Sequence, residues 1–245
     1  GFARCGDNIY AFDISGNLIL VREGQSSLAL QIGMIDFMVE CSATTLLLVS
    51  KAGKIVVYNP ERNTVEWTGK APEAISTIAA DPESKRFALG GESGMLHLYY
   101  VKEDQYEKAS LYQQNDDVLE TLHEQPISSL LFTTDEDGKL AVISASSDLR
   151  MFHTKIFEGK PQERSPQRNR RHQKKIIQML PSAGQYFYSL GEDGSIKTRL
   201  KNNDKTSPSS IDLNDLTAAC LAQVPQKVDG GKLEDQPFLI VAHGF

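Results

Sequence analysis

Six cations fall within one short stretch of the chain: Arg164, Arg168, Arg170, Arg171, Lys174 and Lys175, with His172 among them. Positive charge at that density, on a chain of net charge −6, can hold phosphate, nucleic acid or an acidic segment of another protein. No aromatic residue is interleaved with it, which argues against a surface that stacks unpaired bases. Ser165-Pro166 inside the stretch offers a phosphorylation site that would lower its charge. Glu158–Lys175 as a whole carries two prolines and no large apolar residue, the composition of a flexible, solvated connecting loop.

The other residues with chemical potential are scattered. His97, His123, His153, His172 and His243 stand apart, none beside a nucleophile with an acid partner. The chain contains no Gly-x-Ser-x-Gly elbow, no His-Glu-x-x-His, no phosphate-binding Gly-x-x-x-x-Gly-Lys and no strand-to-helix Gly-x-Gly-x-x-Gly. Leu89–Gly94 is glycine-rich, but its place between two apolar runs makes it a hairpin turn. Gly191-Glu192-Asp193-Gly194 lacks the further spaced oxygen ligands of a calcium loop. Cys5, Cys41 and Cys220 form no Cys-x-x-Cys pair, and an odd, sparse count fits a reducing compartment better than a disulfide framework. The expectation is a protein without catalytic residues, cofactor or metal, in the cytoplasm or nucleus.

Composition narrows the class further. At 245 residues, 40% hydrophobic and 24% charged, the chain can bury a sizeable core. No apolar run approaches the roughly 20 residues that span a bilayer as a helix, so no membrane partner is expected. The opening segment lacks the basic and apolar regions of a signal peptide. It begins on Gly rather than Met, as a processed product or an excised fragment would.

The elements that must position these residues show first in Ile176–Leu200. Three short runs rich in β-branched and aromatic residues are separated by Pro-Ser-Ala-Gly and Gly-Glu-Asp-Gly turns, the pattern of an antiparallel meander. The unit recurs. A turn residue, any residue, an aliphatic, two of any kind and an aromatic appear at Asp7–Phe12, Gly53–Tyr58, Gly94–Tyr99 and Ser147–Phe152. A fifth copy, Gly194–Arg199, carries Arg at the aromatic position. The copies lie 41 to 53 residues apart, the spacing of propeller blades with four strands each. Two strands precede each copy (Ile35–Cys41 and Leu46–Ser50, Ile75–Ala80 and Phe87–Gly90, Ile127–Phe132 and Leu140–Ala145). A fourth follows it at Leu18–Val21, Thr64–Thr68 and Ala109–Tyr112. Asp116–His123 and Asp212–Leu221 are the two short helix candidates. Lys102–Pro126, Lys201–Asp212 and Gln223–Pro237 read as polar connections.

His172 four residues before Ile176, then Pro181, Ser189, Asp193-Gly194 and Ile196 resemble the motif of the WD-repeat family. His123, four residues before Ile127, and Ser144 resemble part of it. The resemblance implies an all-β propeller of four-stranded antiparallel blades. It also implies hydrogen bonds from His123 to Ser144, and among His172, Ser189 and Asp193, that tie blades together. The family's Trp is replaced by Phe12, Tyr58, Tyr99 and Phe152. Val57–Trp67 is similar to one strand–turn–strand repeat, ending in Trp, of the quinoprotein-type propellers. Arg164–Lys175 also resembles a nuclear-localisation tract.

Residues 1–245 are therefore expected to form a single propeller domain with five blades, alone or within a ring of six or seven. Phe238–Ala242 is expected to pair beside Ile9–Phe12, so that the first and last segments share one blade and leave no free edge. Glu158–Lys175 would be an interblade loop. The function implied is a non-catalytic scaffold that binds other proteins or peptide segments within a larger complex. The alternative is a nucleic-acid-associated propeller using the basic stretch.

Overall fold

The computed structural model describes residues 1–13, 15–22, 25–31, 33–81, 83–102, 105–108, 123–134, 138–156, 163–167, 172–181, 186–200, 206–212, 216–227 and 233–243. For the strands beyond residue 200 and for 163–167 it describes the backbone alone. Every element among these residues is a β-strand. The first sheet is β1 (Phe2–Cys5), β2 (Asn8–Phe12), β3 (Asn17–Arg22) and β4 (Gln25–Gln31). The second is β5 (Phe37–Ser42), β6 (Thr45–Val49), β7 (Lys54–Asn59) and β8 (Thr64–Lys70). The third is β9 (Ile75–Asp81), β10 (Arg86–Gly91), β11 (Leu96–Lys102) and β12 (Gln105–Lys108). The fourth is β13 (Ile127–Thr134), β14 (Leu140–Ser146), β15 (Met151–Lys155) and β16 (Glu163–Gln167). The fifth is β17 (Ile176–Pro181), β18 (Tyr186–Gly191), β19 (Ser195–Leu200) and β20 (Thr206–Asp212). β21 (Leu216–Lys227) and β22 (Leu233–His243) pair with each other as a sixth, two-stranded sheet.

Strands pair antiparallel in chain order within each sheet. The first strand of each sheet packs on the first strand of the next: β1 on β5, β5 on β9, β9 on β13, β13 on β17 and β17 on β21. That is the arrangement of propeller blades, with their first strands innermost. The core lies in the layers between successive sheets. Cys5, Tyr10 and Leu18 meet Leu46, Leu48, Val56 and Tyr58. On the other face of the second sheet, Leu47, Val49, Ile55 and Val57 meet Phe87, Leu89 and Tyr99. Ala88, Leu96 and Leu98 then meet Leu130 and Val142, and Ile143, Ala145 and Met151 meet Met179 and Phe187. β6 is buried along its whole length because both its faces are covered, which is why it reads as an unbroken apolar run. Two serines latch neighbouring sheets. The Ser76 hydroxyl lies 3.0 Å from the Gly90 carbonyl in its own sheet and 2.7 Å from that of Ile127 in the next. Ser128 repeats this between Ala145 and Ile176.

The structure corrects the expected pairing of Phe238–Ala242 beside Ile9–Phe12. β2 is flanked by β1 on one side and β3 on the other, so neither of its edges is open to β22. Ile9–Phe12 and Leu18–Val21 are thus second and third strands rather than third and fourth. Phe2–Cys5, absent from the sequence reading, is the first. Asp212–Leu221 is not helical, since Leu216 onward is strand; for Asp116–His123, all but His123 lie outside the described residues. The expected loop Glu158–Lys175 contains β16, and the polar connections Lys201–Asp212 and Lys102–Pro126 contain β20 and β12. Gln223–Pro237 is largely the continuation of β21 and β22. The fourth strand sought at Ala109–Tyr112 is Gln105–Lys108, and 109–112 lie outside the described residues. These fourth strands have a sheet neighbour on one side only, so apolar alternation is not required of them. β16 even accepts Pro166, opposite Phe152, because an outermost strand can spare a ladder donor.

The turn between second and third strands sets the register of the repeat. In each four-stranded sheet its fourth residue donates an N–H to the carbonyl of its first: Gly16 to Asp13, Gly53 to Ser50, Gly94 to Gly91, Leu149 to Ser146 and Gly194 to Gly191, at 2.9–3.2 Å. Aligned on these turns, the position five residues later is Val21, Tyr58, Tyr99, Thr154 and Arg199. Phe12 and Phe152 are therefore not the counterparts of Tyr58 and Tyr99, and both are only half-buried. Thr154 and Arg199 are buried in their place.

Candidate functional site

Two histidine clusters sit where the lead-in to a sheet meets that sheet's turn. In the fifth sheet, His172 Nε2 lies 2.9 Å from Ser189 Oγ on β18, and Nδ1 lies 3.1 Å from Asp193 Oδ1 in the turn. Asp193 also accepts the Gln173 amide at 2.6 Å and the Ser195 amide at 3.1 Å. The Ser195 hydroxyl reaches Asp193 at 2.7 Å and His172 Nδ1 at 3.0 Å. In the fourth sheet, His123 Nε2 lies 3.0 Å from Ser144 Oγ, and Nδ1 lies 3.1–3.2 Å from both oxygens of Asp148. Asp148 accepts the amides of Glu124 and Arg150. Each cluster joins three separated stretches of chain: lead-in, second strand and turn. Gly191 makes room for the fifth, because a Cβ there would lie 2.2 Å from both His172 Nδ1 and Asp193 Oδ1.

Arg199 completes the fifth-sheet cluster. Its Nε–H donates to Ser189 Oγ at 2.6 Å, so it supplies the donor that an indole N–H would supply from the same position. The Asp193 carboxylate can only accept, so His172 Nδ1 carries the imidazole hydrogen, and the Ser189 hydroxyl, which accepts from Arg199, donates to Nε2. Nε2 is then the bare nitrogen, and Nδ1–H faces the carboxylate. Burial lowers the His172 pKa below the usual imidazole range, opposed by the bond to Asp193 and reinforced by the nearby Arg199 charge. Burial by itself would raise the Asp193 carboxyl. Donors from Ser195, Gln173 and His172 outweigh that and hold it at about 2. The cluster is thus a carboxylate, a neutral imidazole and a hydroxyl with every bond direction set.

That order of atoms, carboxylate to Nδ1 and Nε2 to hydroxyl, is also the order of a nucleophilic triad. Exposure separates the two. Ser144 and Ser189 are 0% exposed, so neither hydroxyl can meet a substrate carbonyl without separating the strands around it. What the geometry does is satisfy buried polar groups and hold turn and lead-in together.

The third sheet solves the same problem with the roles exchanged. Its lead-in has Ala71 where the fourth and fifth have His, and supplies Glu73 instead. Glu73 Oε1 lies 2.8 Å from His97 Nε2 on β11, and Oε2 accepts the Ser93 amide of the turn at 2.8 Å. Gly91 provides the space, as a Cβ there would lie 2.3–2.4 Å from the carboxylate. Burial lowers the His97 pKa, opposed by the Glu73 bond; Glu73 is lowered by its bonds to Ser93 and His97 against the opposing effect of burial.

Of the residues singled out in the sequence, His123 meets Ser144, and His172 meets Ser189 and Asp193. Asp148, Ser195, Arg199 and the Glu73–His97 pair were missed. Asp148 would have been found by aligning the fourth unit two residues later. Arg199 was visible only as an exception to the aromatic position. The basic residues have different settings. Lys174 is exposed, and Lys175 Nζ lies 3.5 Å from Glu192. Arg164 lies on β16, and Arg168, Arg170 and Arg171 lie outside the described residues. Among the described residues, no group of three or more His, Cys, Asp or Glu is placed to hold a metal ion. No helix among them is long and apolar enough to cross a membrane.

No protein-family model matches the chain, and no curated protein matches it. A chain in the crystal structure of a mitotic checkpoint complex is similar in fold, with a TM-score of 0.68 and 13% identity. The similarity covers 99% of this chain and 77% of that one. At that identity the likeness concerns the fold alone. It is one of 1154 solved chains that match, so the fold by itself does not single out a function.

Proposed function

We propose that the chain is a non-catalytic scaffold, a single propeller domain that binds other proteins or peptide segments as a subunit of a larger intracellular complex. The observation that carries this reading is the burial of its polar clusters. The residues with catalytic atom order are sealed between strands, while the turns and lead-ins they brace expose side chains such as Glu124, Gln173, Lys174 and Glu192. Rigid sheets that present loops supply contact surface without supplying chemistry. A chain of similar fold is found in a mitotic checkpoint complex, a setting of protein partners. The test is chemical cross-linking of the intact protein in a cell extract, followed by affinity capture and mass spectrometry. Reproducible cross-links from the turn face to one set of proteins support the scaffold. Turnover of a substrate by the purified protein, abolished by Ser189→Ala, overturns it.

A second reading has its own observation. Arg168, Arg170, Arg171, Lys174 and Lys175 fall in nine residues, Gln167–Lys175, that contain no Asp or Glu. A nucleic-acid backbone would meet that charge, and its affinity would fall steeply with salt as counterions are released. Titration of short RNA and DNA at two salt concentrations, against the parent and a five-fold Ser variant at these positions, decides it.

A further inference from the structure

The outermost strand of a sheet presents backbone N–H and C=O groups without a ladder partner, and another chain can pair with them unless something forbids it. Four of the five outer strands carry such a guard. β8 has Glu66 and Lys70, and β12 has Glu107 and Lys108. β16 has Glu163, Arg164 and Pro166, and β20 has Pro208 and Asp212. β4 has neither a charge nor a proline, and among the described residues it pairs with β3 alone.

The exposure of β4 fits an open edge. Gln25, Ser26, Ser27 and Leu28 all face solvent, and Leu28, a large apolar residue, is 64% exposed. Further along, Ala29 is an extra residue, because Leu18 pairs with Leu30 and Ile19 with Leu28. A bulge of this kind turns an edge away from strand addition, so the stretch left regular is Gln25–Leu28.

Leu28 does not stand alone. It lies opposite Ile19, and Ile19 lies opposite Ala11. Tyr10, Phe12, Leu18 and Leu20 pack toward the second sheet, so alternation places Ala11, Ile19 and Leu28 in one row on the other face. In the adjacent row of that face, Ile9 is 50% exposed. A strand added beside β4 would extend the row Ala11–Ile19–Leu28 by one side chain, and an apolar cross-strand neighbour there is stabilising.

Taking the scaffold reading as given, we propose that the edge of β4 is a docking site for an extended segment of a protein partner, which joins the first sheet as a fifth strand. The segment is uncharged where it pairs with Gln25–Leu28, since β4 offers no charge to meet one, and it carries aliphatic or aromatic side chains at alternate positions. Backbone pairing supplies the hold, and the residue beside Leu28 supplies the selectivity. A second copy of this chain is the poorer occupant. Two whole domains would then be held through the same short stretch on each side, well under the roughly 1,000 Å² that a stable interface buries. A single extended segment meets no such demand, because a transient contact suffices.

The test uses the full chain and a displayed library of random dodecapeptides, selected on the parent and re-measured on Leu28→Lys and Ser26→Lys. Each substitution puts a guard charge on an exposed position of β4. Enriched sequences should contain a run free of Pro, Asp and Glu in which apolar residues alternate. Their affinity should drop at least tenfold on Leu28→Lys and severalfold on Ser26→Lys, and change little between 50 and 300 mM salt. Bound peptide should slow amide hydrogen exchange in β4 and leave β8 unchanged, which reads the backbone pairing directly on the parent. Both variants should melt with the parent, since neither side chain is buried. Failure to enrich alternating apolar sequences, equal binding to Leu28→Lys, or unchanged exchange in β4 overturns the proposal. So does a parent that sediments as a dimer while Leu28→Lys sediments as a monomer, which would give the edge to a second copy. If the cross-links to protein partners persist unchanged in Leu28→Lys, the scaffold reading stands and this site alone is wrong.

Discussion

Asp193 shows how one side chain can set the proton positions of several others. Its carboxylate can only accept, so the His172 proton stays on Nδ1, and the Ser189 hydroxyl donates to Nε2 while accepting from Arg199 Nε–H. Such a chain behaves as a unit, and the coupling is measurable. In a double-mutant cycle of Arg199→Met and Ser189→Ala, urea unfolding should give an interaction energy of about 0.5–3 kcal/mol. Strict additivity would mean that the two groups do not cooperate. Leu149 calls for the opposite measurement. Replacing it with Gly relieves a left-handed backbone (φ 63°) worth roughly 1–2 kcal/mol, against a loss of about 0.5–1 kcal/mol from the freer unfolded chain. The net expectation is a gain of up to about 1.5 kcal/mol in the same assay. A clear loss of stability would show that the Leu149 side chain packs where the structure leaves it exposed.

The element that matters most is the turn between second and third strands. It recurs in all five four-stranded sheets, and in the second and third it is bonded to the lead-in of the next sheet. Gly94 meets two demands there, a φ of 87° and contact with the His123 carbonyl. Gly138 has a φ of 74°, and a methyl added to it would find nothing within 4 Å, so it meets the first demand alone. Gly138→Ala should therefore cost about 1 kcal/mol of backbone strain. Gly94→Ala should cost clearly more, on the order of 2–4 kcal/mol, since backbone must also move. Equal costs for the two substitutions would mean that the turn does not press on the next sheet. The buried clusters act on the same element from inside, each pinning turn to lead-in through a carboxylate. That the third sheet reaches the pin with Glu73 and His97, carboxylate and imidazole exchanged, shows that the joint rather than the motif is what the fold requires.

At the scale of the molecule, stability depends on how many buried groups change charge together. His97 and His172 are held below the ordinary imidazole value of 6.5 by burial. The unfolded chain takes up protons below about 6.5 that the folded sheets resist. Their contribution is complete above that pH and declines as pH falls below it. Asp193, lowered from 3.8 to about 2, contributes above 3.8 and is lost as pH falls through 2. Both effects have the same sign. The urea midpoint should be flat from pH 8 to 7, fall through pH 6 and 5, and fall again toward pH 3. A double His97→Gln, His172→Gln variant, less stable at pH 8, should lose most of the first decline. A parent midpoint that does not change between pH 7 and 5 would contradict the burial of these imidazoles as neutral groups.

Period and turn chemistry are local properties, and the chain carried them openly. Second and third strands from Leu46 to Leu200 could be read from apolar runs bounded by Gly, Asp and Ser, because strands covered on both faces must be apolar throughout. Outer strands could not be read in this way. β16 and β20 are polar and contain proline, since only their pairing to one neighbour makes them strands. The two-residue slip at Ser147–Phe152 arose because no residue type announces that a Leu has taken the left-handed place of a Gly. Likewise His123, Ser144, His172, Ser189 and Asp193 could be picked out by spacing, whereas Glu73–His97 and Arg199–Ser189 could not. Those bonds depend on which strand lies beside which and how far each side chain reaches. That is a matter of packing between stretches distant in sequence, and only the folded sheets decide it.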